Sequence, residues 1–206
     1  MPYIPALKRE DLPELADYFA RSDARMGFVT NAQLTMAYRP DILKAFVGMA
    51  AAVFTQYGGV TPQLKALVGH IASKAAGCEY CMSHTASNAL RPGYDAEPAK
   101  VAAVWEYETS PVFTEAERAA LEFAQCAAAV PNLVTQAHID RLRKHFTDAE
   151  IVEINAVVAF YSFLNRWNDS LATELEPMPT EVGERLLADK GWHAGKHAPA
   201  DSEAAE

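Results

Sequence analysis

The sequence is poor in cysteine, with three residues in 206. So few cysteines, two of them only three positions apart, do not support the disulfide framework of a small secreted domain. An excess of basic residues is also missing, since the formal net charge is −9. Together with the absence of a basic stripe, this charge argues against nucleic acid and against an anionic membrane surface as partners.

Long hydrophobic runs are absent as well. The most apolar run, 154–164, is much shorter than the roughly 20 residues that cross a bilayer, and polar side chains flank it. The N-terminus has no basic segment followed by an apolar one, so we expect no signal peptide and a cytoplasmic protein. In a reducing cytosol, a C-x-x-C pair more often has redox or metal chemistry than a structural disulfide.

Glycine and strand patterns are scarce over most of the chain. No glycine occurs between Gly93 and Gly183, alanine is abundant there, and period-2 alternation of β-branched residues is missing. Half of the residues are hydrophobic, which is enough for a sizeable core. We therefore predict an all-α protein with a single helical domain over residues 1–188 and a mobile C-terminal tail over 189–206.

Recognisable signals mark several helix starts. The segments 114–117 and 147–150 both have the Thr-x-x-Glu pattern of a capping box, and Thr61-Pro62 places proline at a first helical position. The segment 148–173 is apolar over much of its circumference, which predicts burial on several sides, within the domain or at a subunit interface. The predicted helices are 11–21, 40–57, 62–76, 79–90, 95–108, 114–129, 135–146, 148–173 and 180–188.

The segment 78–84, Cys-Glu-Tyr-Cys-Met-Ser-His, is the most informative part of the chain. Two thiols one helical turn apart can close a reducible disulfide or share a metal, and His84, one turn further on, can move their protons. Cys78 follows Gly77 near a predicted helix start, where unpaired N–H groups and the helix dipole favour a thiolate. This arrangement is typical of a redox-active cysteine pair.

Other interpretations of the motif are weaker. A closed zinc site needs four ligands, and Cys126 is too isolated to complete a set made of Cys78, Cys81 and His84. Covalent haem attachment requires histidine directly after the second cysteine, where Met82 stands. A thioredoxin motif follows a β-strand, and none is predicted. We expect no metal and no other cofactor, and the main structural alternative is a pair of buried small side chains beside a core histidine.

The segment 61–90 resembles the core of the alkylhydroperoxidase D-like (AhpD-like), carboxymuconolactone decarboxylase superfamily. Members of its thiol branch have a C-x-Y-C sequence followed by a histidine on a helix, preceded by a helix that ends in a small residue and glycine. The segment 145–176 is similar to the C-terminal helix of the same branch. The resemblance covers residues 40–176 and implies a helical AhpD-like fold.

The resemblance also implies roles for the motif residues. Cys81 corresponds to the peroxide-reactive thiol, Cys78 to its resolving partner and His84 to a histidine of the proton relay. Two departures concern the relay. In alkylhydroperoxidase D itself the histidine stands one residue later, at the position of Thr85, and the relay glutamate stands about twelve residues before the first cysteine, at the position of Ala66.

Several other residues are candidates for the missing part of the relay. His70 lies on an apolar helix face, where a histidine is more often part of the core than a catalyst. Glu153 lies in an apolar stretch, and its simplest explanation is an ion pair with Arg166 or with a neighbouring subunit. Glu122 is a third candidate. Tyr80, between the cysteines, either donates a hydrogen bond to a bound peroxide oxygen or packs in the core.

The resulting hypothesis is a thiol-dependent peroxidase, in which Cys81 attacks a hydroperoxide and a Cys78–Cys81 disulfide is then reduced by an external dithiol. The resemblance implies a trimer or hexamer, and the segment 165–169 is expected to be a packing and interface network. Two alternatives stay open: an acid/base enzyme like carboxymuconolactone decarboxylase, for which the cysteines are dispensable, and a non-enzymatic thiol redox sensor.

Overall fold

The chain is helical throughout the part that a computed structural model describes, which comprises residues 1–54 and 58–199 apart from the side chain of Arg25. These residues form α-helices and short 3-10 turns and contain no β-strand, so the all-α prediction is confirmed. No helix within these described residues is long and apolar enough to cross a membrane. The α-helices are α1 (Ala16–Met26), α2 (Asn31–Met36), α3 (Pro40–Phe54), α4 (Pro62–Ala76), α5 (Glu79–Ala89), α6 (Pro98–Ala102), α7 (Glu115–Ala128), α8 (Gln136–Leu142), α9 (Asp148–Leu171) and α10 (Pro177–Leu186).

The predicted helix starts agree with the structure where capping signals were clear. Thr114 and Thr147 accept hydrogen bonds from the backbone N–H groups three residues on, and both capping boxes are complete. Thr61 caps α4 in the same way. The predicted 40–57 helix runs to Phe54, and residues 55–57 lie outside the described part. The helix predicted over 95–108 is replaced by the short α6 and a 3-10 turn at 104–106.

Helix α2 was not predicted. Thr30 and Gln33 form a third capping box at its start, in which each side chain accepts from the other residue's backbone N–H. The Thr-x-x-Gln pattern was therefore a usable signal, since glutamine serves this purpose as glutamate does. This short helix matters because its first residue contacts the functional site.

Helices α4 and α9 form the centre of the molecule. Fully buried side chains such as Leu67 and Ile71 on α4 pack against Ile154 and Val158 on α9. Burial of each such side chain contributes roughly 1.5–3 kcal/mol. The two helices approach closely at Gly69, where a Cβ atom would lie 2.2 Å from the Tyr161 ring. Helix α9 is thus buried on several sides within the domain, one of the two settings predicted for it.

The prediction of a mobile tail from residue 189 is wrong for residues 189–199. Trp192 is 4% exposed, packs on Gly183 of α10 and donates its indole N–H to Glu79 O at 3.0 Å. His197 is buried and donates from Nδ1 to Thr173 O at 2.7 Å. These two side chains supply the apolar area and the hydrogen bonds that hold the segment in place. The polar composition of the segment gave no indication of this packing. The rest of the predicted tail, 200–206, lies outside the described residues.

Candidate active site

The cysteine motif forms the junction between α4 and α5. Gly77 ends α4 in the left-handed conformation, with φ +71°, and turns the chain into α5. Cys78 is the N-cap of α5, and its Sγ accepts a hydrogen bond from Cys81 N at 3.4 Å. The predicted position of Cys78 at a helix start is therefore confirmed. Both cysteines are free thiols and are almost completely buried.

The Cys81 thiol is held in a protonated state by its surroundings. Burial raises the pKa of Cys81 well above its usual value, and the neighbouring Cys78 thiol raises it further. Asn168 of α9 opposes this effect by donating a hydrogen bond from Nδ2 to Cys81 Sγ at 3.4 Å. The Asn168 Oδ1 atom is buried and has no hydrogen-bond partner among the described protein atoms. Reaction at Cys81 therefore needs a base to remove the proton.

A buried carboxylate adjoins the motif histidine. His84 Nε2 and Glu176 Oε2 are 2.6 Å apart, and Tyr80 donates its hydroxyl to Glu176 Oε1 at 2.9 Å. The backbone N–H of Asn31, the first residue of α2, also donates to Glu176 Oε1. The Tyr80 and His84 rings stack with their centroids 4.3 Å apart. Four contacts thus fix the histidine and the carboxylate in one arrangement.

Burial and neighbouring charges determine the protonation states of Glu176 and Tyr80. Burial alone would raise the pKa of Glu176, but the positive charge that His84 carries when it is protonated, together with the hydrogen bonds from His84 and from Asn31 N–H, outweighs burial, so that the pKa lies below its usual value. Burial raises the pKa of Tyr80 well above its usual value, and the Glu176 charge adds to the effect. Glu176 is therefore an ionised acceptor and Tyr80 a neutral donor. The Tyr80 hydroxyl, a candidate donor to substrate, is directed to Glu176.

Sequence reasoning missed two residues of this site. Glu176 is the N-cap of α10 and lies 92 positions after His84. The one local pattern that marked its position was the proline that follows it, Pro177, which is typical of a first helical residue. Asn168 belongs to the segment 165–169, which was expected to be a packing and interface network. Asn165 and Trp167 do pack α9 onto α4 and α2, through hydrogen bonds to Ala72 O and Thr35 Oγ1. Nothing in the helical spacing marked Asn168 as the residue that reaches the thiol.

Cys81 and His84 line a cavity of about 240 Å³. Its walls are mostly apolar and come largely from α3, α4 and α9, including four aromatic rings. Two arginines, Arg21 and Arg91, also line it. Cys81 is 2% exposed, whereas Arg21 is exposed, so the thiol lies at the enclosed part of the cavity. The apolar and aromatic wall residues are Phe46, Val47, Ala50, Ala51, Phe54, Ala66, Phe160, Tyr161 and Leu164.

His70 lies behind α5 and does not line the cavity. Its Nε2 accepts from Trp105 Nε1 at 2.7 Å, so the ring proton is on Nδ1, which donates to Thr85 Oγ1 at 2.9 Å. Burial lowers the pKa of His70 to about 3, and the ring is neutral. The Thr85 hydroxyl lies 2.7 Å from Cys81 O. His70 therefore joins α4 to the backbone of the cysteine helix.

The two other glutamates considered for the relay have partners elsewhere. Glu153 pairs with Lys65 at 2.5 Å and accepts from Val60 N, so the expected ion pair with Arg166 is wrong. Glu122 pairs with Arg141 at 2.6 Å. Neither glutamate lines the cavity. Among the described residues, no group of three or more His, Cys, Asp or Glu side chains is arranged to hold a metal ion.

Comparison with known proteins agrees with the fold. The model of the carboxymuconolactone decarboxylase family matches residues 40–126. The crystal structure of the debrominase Bmp8 is 34% identical over 89% of this chain and 96% of Bmp8, with a TM-score of 0.81. The chain belongs to the carboxymuconolactone decarboxylase family. The resemblance to this superfamily is thereby confirmed, and membership of its thiol branch stays a prediction.

Two further relatives show the range of this family. An uncharacterized peroxidase-related protein from Ralstonia eutropha JMP134, with an alkylhydroperoxidase AhpD core, is 26% identical over 86% of this chain and 94% of its own, with a TM-score of 0.76. YnjA, an uncharacterized protein of Escherichia coli K12, is 28% identical over 110 residues, which are 53% of this chain and 59% of YnjA. The Bmp8 structure is that of a cysteine-to-alanine variant bound to 2,3,4-tribromopyrrole. Family members thus share the AhpD-like fold while their names point to different reactions.

Proposed function

We propose that this protein is a thiol-dependent peroxidase that reduces small organic hydroperoxides with an apolar body. The observation that supports the proposal is the cluster of Cys81, Cys78 and the His84–Glu176 pair at one end of an apolar cavity. A thiol in that position meets a substrate away from bulk water, with a proton carrier on the same helix. A second thiol lies close enough to complete the reaction.

In the first step, Cys81 reduces the hydroperoxide. His84 accepts the Cys81 proton, and the adjacent Glu176 carboxylate stabilises the resulting imidazolium. The thiolate attacks the terminal oxygen, the O–O bond breaks, and the electron pair leaves with the alkoxide. His84 returns the proton to that alkoxide, giving an alcohol and a Cys81 sulfenic acid. Sulfur is oxidised by two electrons and the hydroperoxide is reduced by two.

In the second step, Cys78 resolves the sulfenic acid. The Cys78 sulfur attacks Cys81 Sγ, the S–O bond breaks, and the hydroxyl leaves as water with the Cys78 proton. The product is a Cys78–Cys81 disulfide, and an external dithiol returns both residues to thiols in exchange for its own disulfide. We propose a cytoplasmic location because the cycle depends on such a dithiol pool.

Reductive dehalogenation is a second candidate, favoured by the aromatic cavity wall and by the 34% identity to a debrominase. Here the Cys81 thiolate attacks the halogen of an electron-rich haloaromatic, the carbon–halogen bond breaks, and His84 protonates the ring carbon. Cys78 then attacks Cys81 Sγ, the sulfur–halogen bond breaks, the Cys78 proton passes to the now neutral His84, and halide leaves together with the formation of the same disulfide. The two candidate reactions use the same protein residues and differ in the atom that the Cys81 thiolate attacks, which is an oxygen in one and a halogen in the other.

The remaining hypotheses predict different behaviour. A decarboxylase-like enzyme would need neither cysteine, and a redox sensor would oxidise once without turnover. A trimer or hexamer is proposed from the family resemblance.

The experiment is a single-turnover thiol titration of the reduced protein. One equivalent of cumene hydroperoxide, or of tribromopyrrole in a parallel sample, is added, free thiols are counted and a peptide map locates any disulfide. We expect the loss of two thiols, a Cys78–Cys81 bridge and one equivalent of alcohol or halide. Cys81→Ser should lose no thiols, Cys78→Ser should give a sulfenic acid that dimedone traps, and Cys126→Ser should behave as wild type. If all thiols remain free with both substrates, the peroxidase and the dehalogenase proposals are both wrong.

A further inference from the structure

The cavity above Cys81 has a positive lining in an otherwise acidic protein. Arg21 and Arg91 line it, and none of its described lining residues is aspartate or glutamate, although the chain has a net charge of −9. The Glu176 carboxylate is paired with His84 and is not among the lining residues. The space open to a substrate is therefore apolar along its length and cationic toward solvent.

The cationic and reactive groups are arranged in line along the cysteine helix. Cys81, His84 and Asn88 recur every three to four residues, so they share one face of α5, and Arg91 lies two residues beyond the end of that helix. All four residues line the cavity. Seven positions separate Cys81 from Asn88, which at the α-helical rise is about 10 Å along the axis.

The Arg91 side chain is held near Asn88. Its Nη1 donates to Asn88 Oδ1 at 3.1 Å, and its guanidinium lies 5.3 Å from the centre of the Tyr94 ring. Arg91 is half-buried, whereas Arg21 is exposed and stacks on Tyr18 at 5.6 Å. A fixed, half-buried guanidinium is well suited to an oxyanion, because its planar array of donors matches a carboxylate.

We infer that the substrate is an amphipathic anion, with an apolar body, its electrophilic group at Cys81 and a carboxylate or similar oxyanion about 10 Å away at Arg91. This inference rests on the proposed function for the identity of the reacting end. The cavity of about 240 Å³ limits the body to one substituted ring or a short chain. Arg91 is the principal anchor of the anion, and Arg21 adds a second positive charge near the opening.

A binding experiment tests the inference without any reaction. Calorimetry compares para-isopropylbenzoate with para-isopropylbenzamide, which has nearly the same shape and no charge, on the reduced wild-type protein. We expect the carboxylate to bind about tenfold more tightly, as a charge-assisted hydrogen bond of this kind supplies. In 0.5 M salt the preference for the carboxylate should be smaller, because salt screens the charge of a partly exposed site. Equal dissociation constants for the two compounds in wild type would overturn the inference.

Variants then assign the preference to a residue. Arg91→Gln should remove most of the roughly tenfold preference, and Arg91→Lys should retain part of it because the charge remains. Arg143→Gln is the matched control, since Arg143 pairs with Asp148 on an exposed surface of α8 and should leave the preference unchanged. If Arg91→Gln still binds the benzoate more tightly than the benzamide by the wild-type factor, Arg91 is not the anchor of the anion.

Turnover separates this inference from the proposed function. Cumene hydroperoxide with a para-carboxylate is compared with its para-carboxamide analogue, and we expect the carboxylate to have the higher kcat/KM by a similar factor. If neither is consumed while the benzoate binds more tightly than the benzamide, the peroxidase proposal fails and the anion site stands. If both are consumed at equal kcat/KM and the two probes bind equally, the anion inference fails and the peroxidase proposal stands.

Discussion

Glu176 and His84 are 92 residues apart in the sequence, yet Oε2 of one lies 2.6 Å from Nε2 of the other. The position at which the family resemblance expects a relay glutamate is occupied by Ala66, which lines the cavity instead. A carboxylate from α10 thus contacts the motif histidine from a different part of the chain. We interpret Glu176 as the counter-ion that lets His84 carry a proton.

Glu176→Gln keeps the shape of the side chain and removes its charge. The imidazolium formed during the reaction then loses its stabilising partner, so we expect the rate of hydroperoxide reduction to fall about a hundredfold, within the range of acid/base contributions. The measurement is stopped-flow thiol oxidation, with Glu184→Gln, an exposed glutamate on the same helix, as the control. An unchanged rate in Glu176→Gln would remove the carboxylate from the mechanism.

Asn168→Leu removes the hydrogen bond that Cys81 Sγ accepts. Because that bond lowers the pKa of Cys81, its loss should raise the pKa, and the pH midpoint of Cys81 alkylation by iodoacetamide should move upward. Mass spectrometry of the labelled peptide provides the profile. Ser162→Ala, which alters a hydroxyl bonded within the same helix, should leave the profile in place. A profile that does not move in Asn168→Leu would contradict this account of the thiol.

His70 should make the protein less stable in acid. The unfolded histidine takes up a proton near pH 6.5, while burial lowers the pKa in the folded protein to about 3. Between these values the unfolded state binds more protons, so the free energy of unfolding falls as the pH falls from 6.5 toward 3. The loss is on the order of 5 kcal/mol at about 1.4 kcal/mol per pKa unit.

Urea unfolding at a series of pH values tests this expectation. His70→Gln preserves an acceptor for Trp105 and a donor for Thr85 but has no titrating group, so its stability should vary less with pH in that window. His145→Gln changes an exposed histidine and should keep the wild-type dependence. If the free energy of unfolding of His70→Gln falls with pH as steeply as that of wild type, the buried His70 ring is not the cause of the loss of stability in acid.

Two helical glycines should respond oppositely to alanine. A Cβ at Gly183 would lie 2.6 Å from the Trp192 ring, so Gly183→Ala should destabilise the protein by about 1–3 kcal/mol through overpacking. A Cβ at Gly48 on α3 would meet nothing within 4 Å, so Gly48→Ala should stabilise by about 0.5–1 kcal/mol through helix propensity. Thermal unfolding of both variants provides the comparison, and a neutral Gly183→Ala would mean that Trp192 is loosely packed.

Local signals explain what the sequence allowed us to predict. Caps such as Thr147 and the helical turn linking Cys78 to Cys81 depend on neighbours within a few residues, and both agree with the structure. Glu176 and Asn168 join the site through tertiary packing of α9 and α10 on α5, which no short-range pattern encodes. The burial of Trp192 was hidden for the same reason, since its contacts lie on α10 and at the start of α5.

The distance in sequence between the thiols and Glu176 has a consequence for how the protein is made. A ribosome synthesises Cys78 and Cys81 well before it reaches Glu176, and α10 can dock only after that. During this interval the nascent chain has both thiols but no carboxylate beside His84. The order of translation thus leaves His84 without its carboxylate counter-ion until the last helix of the site is in place.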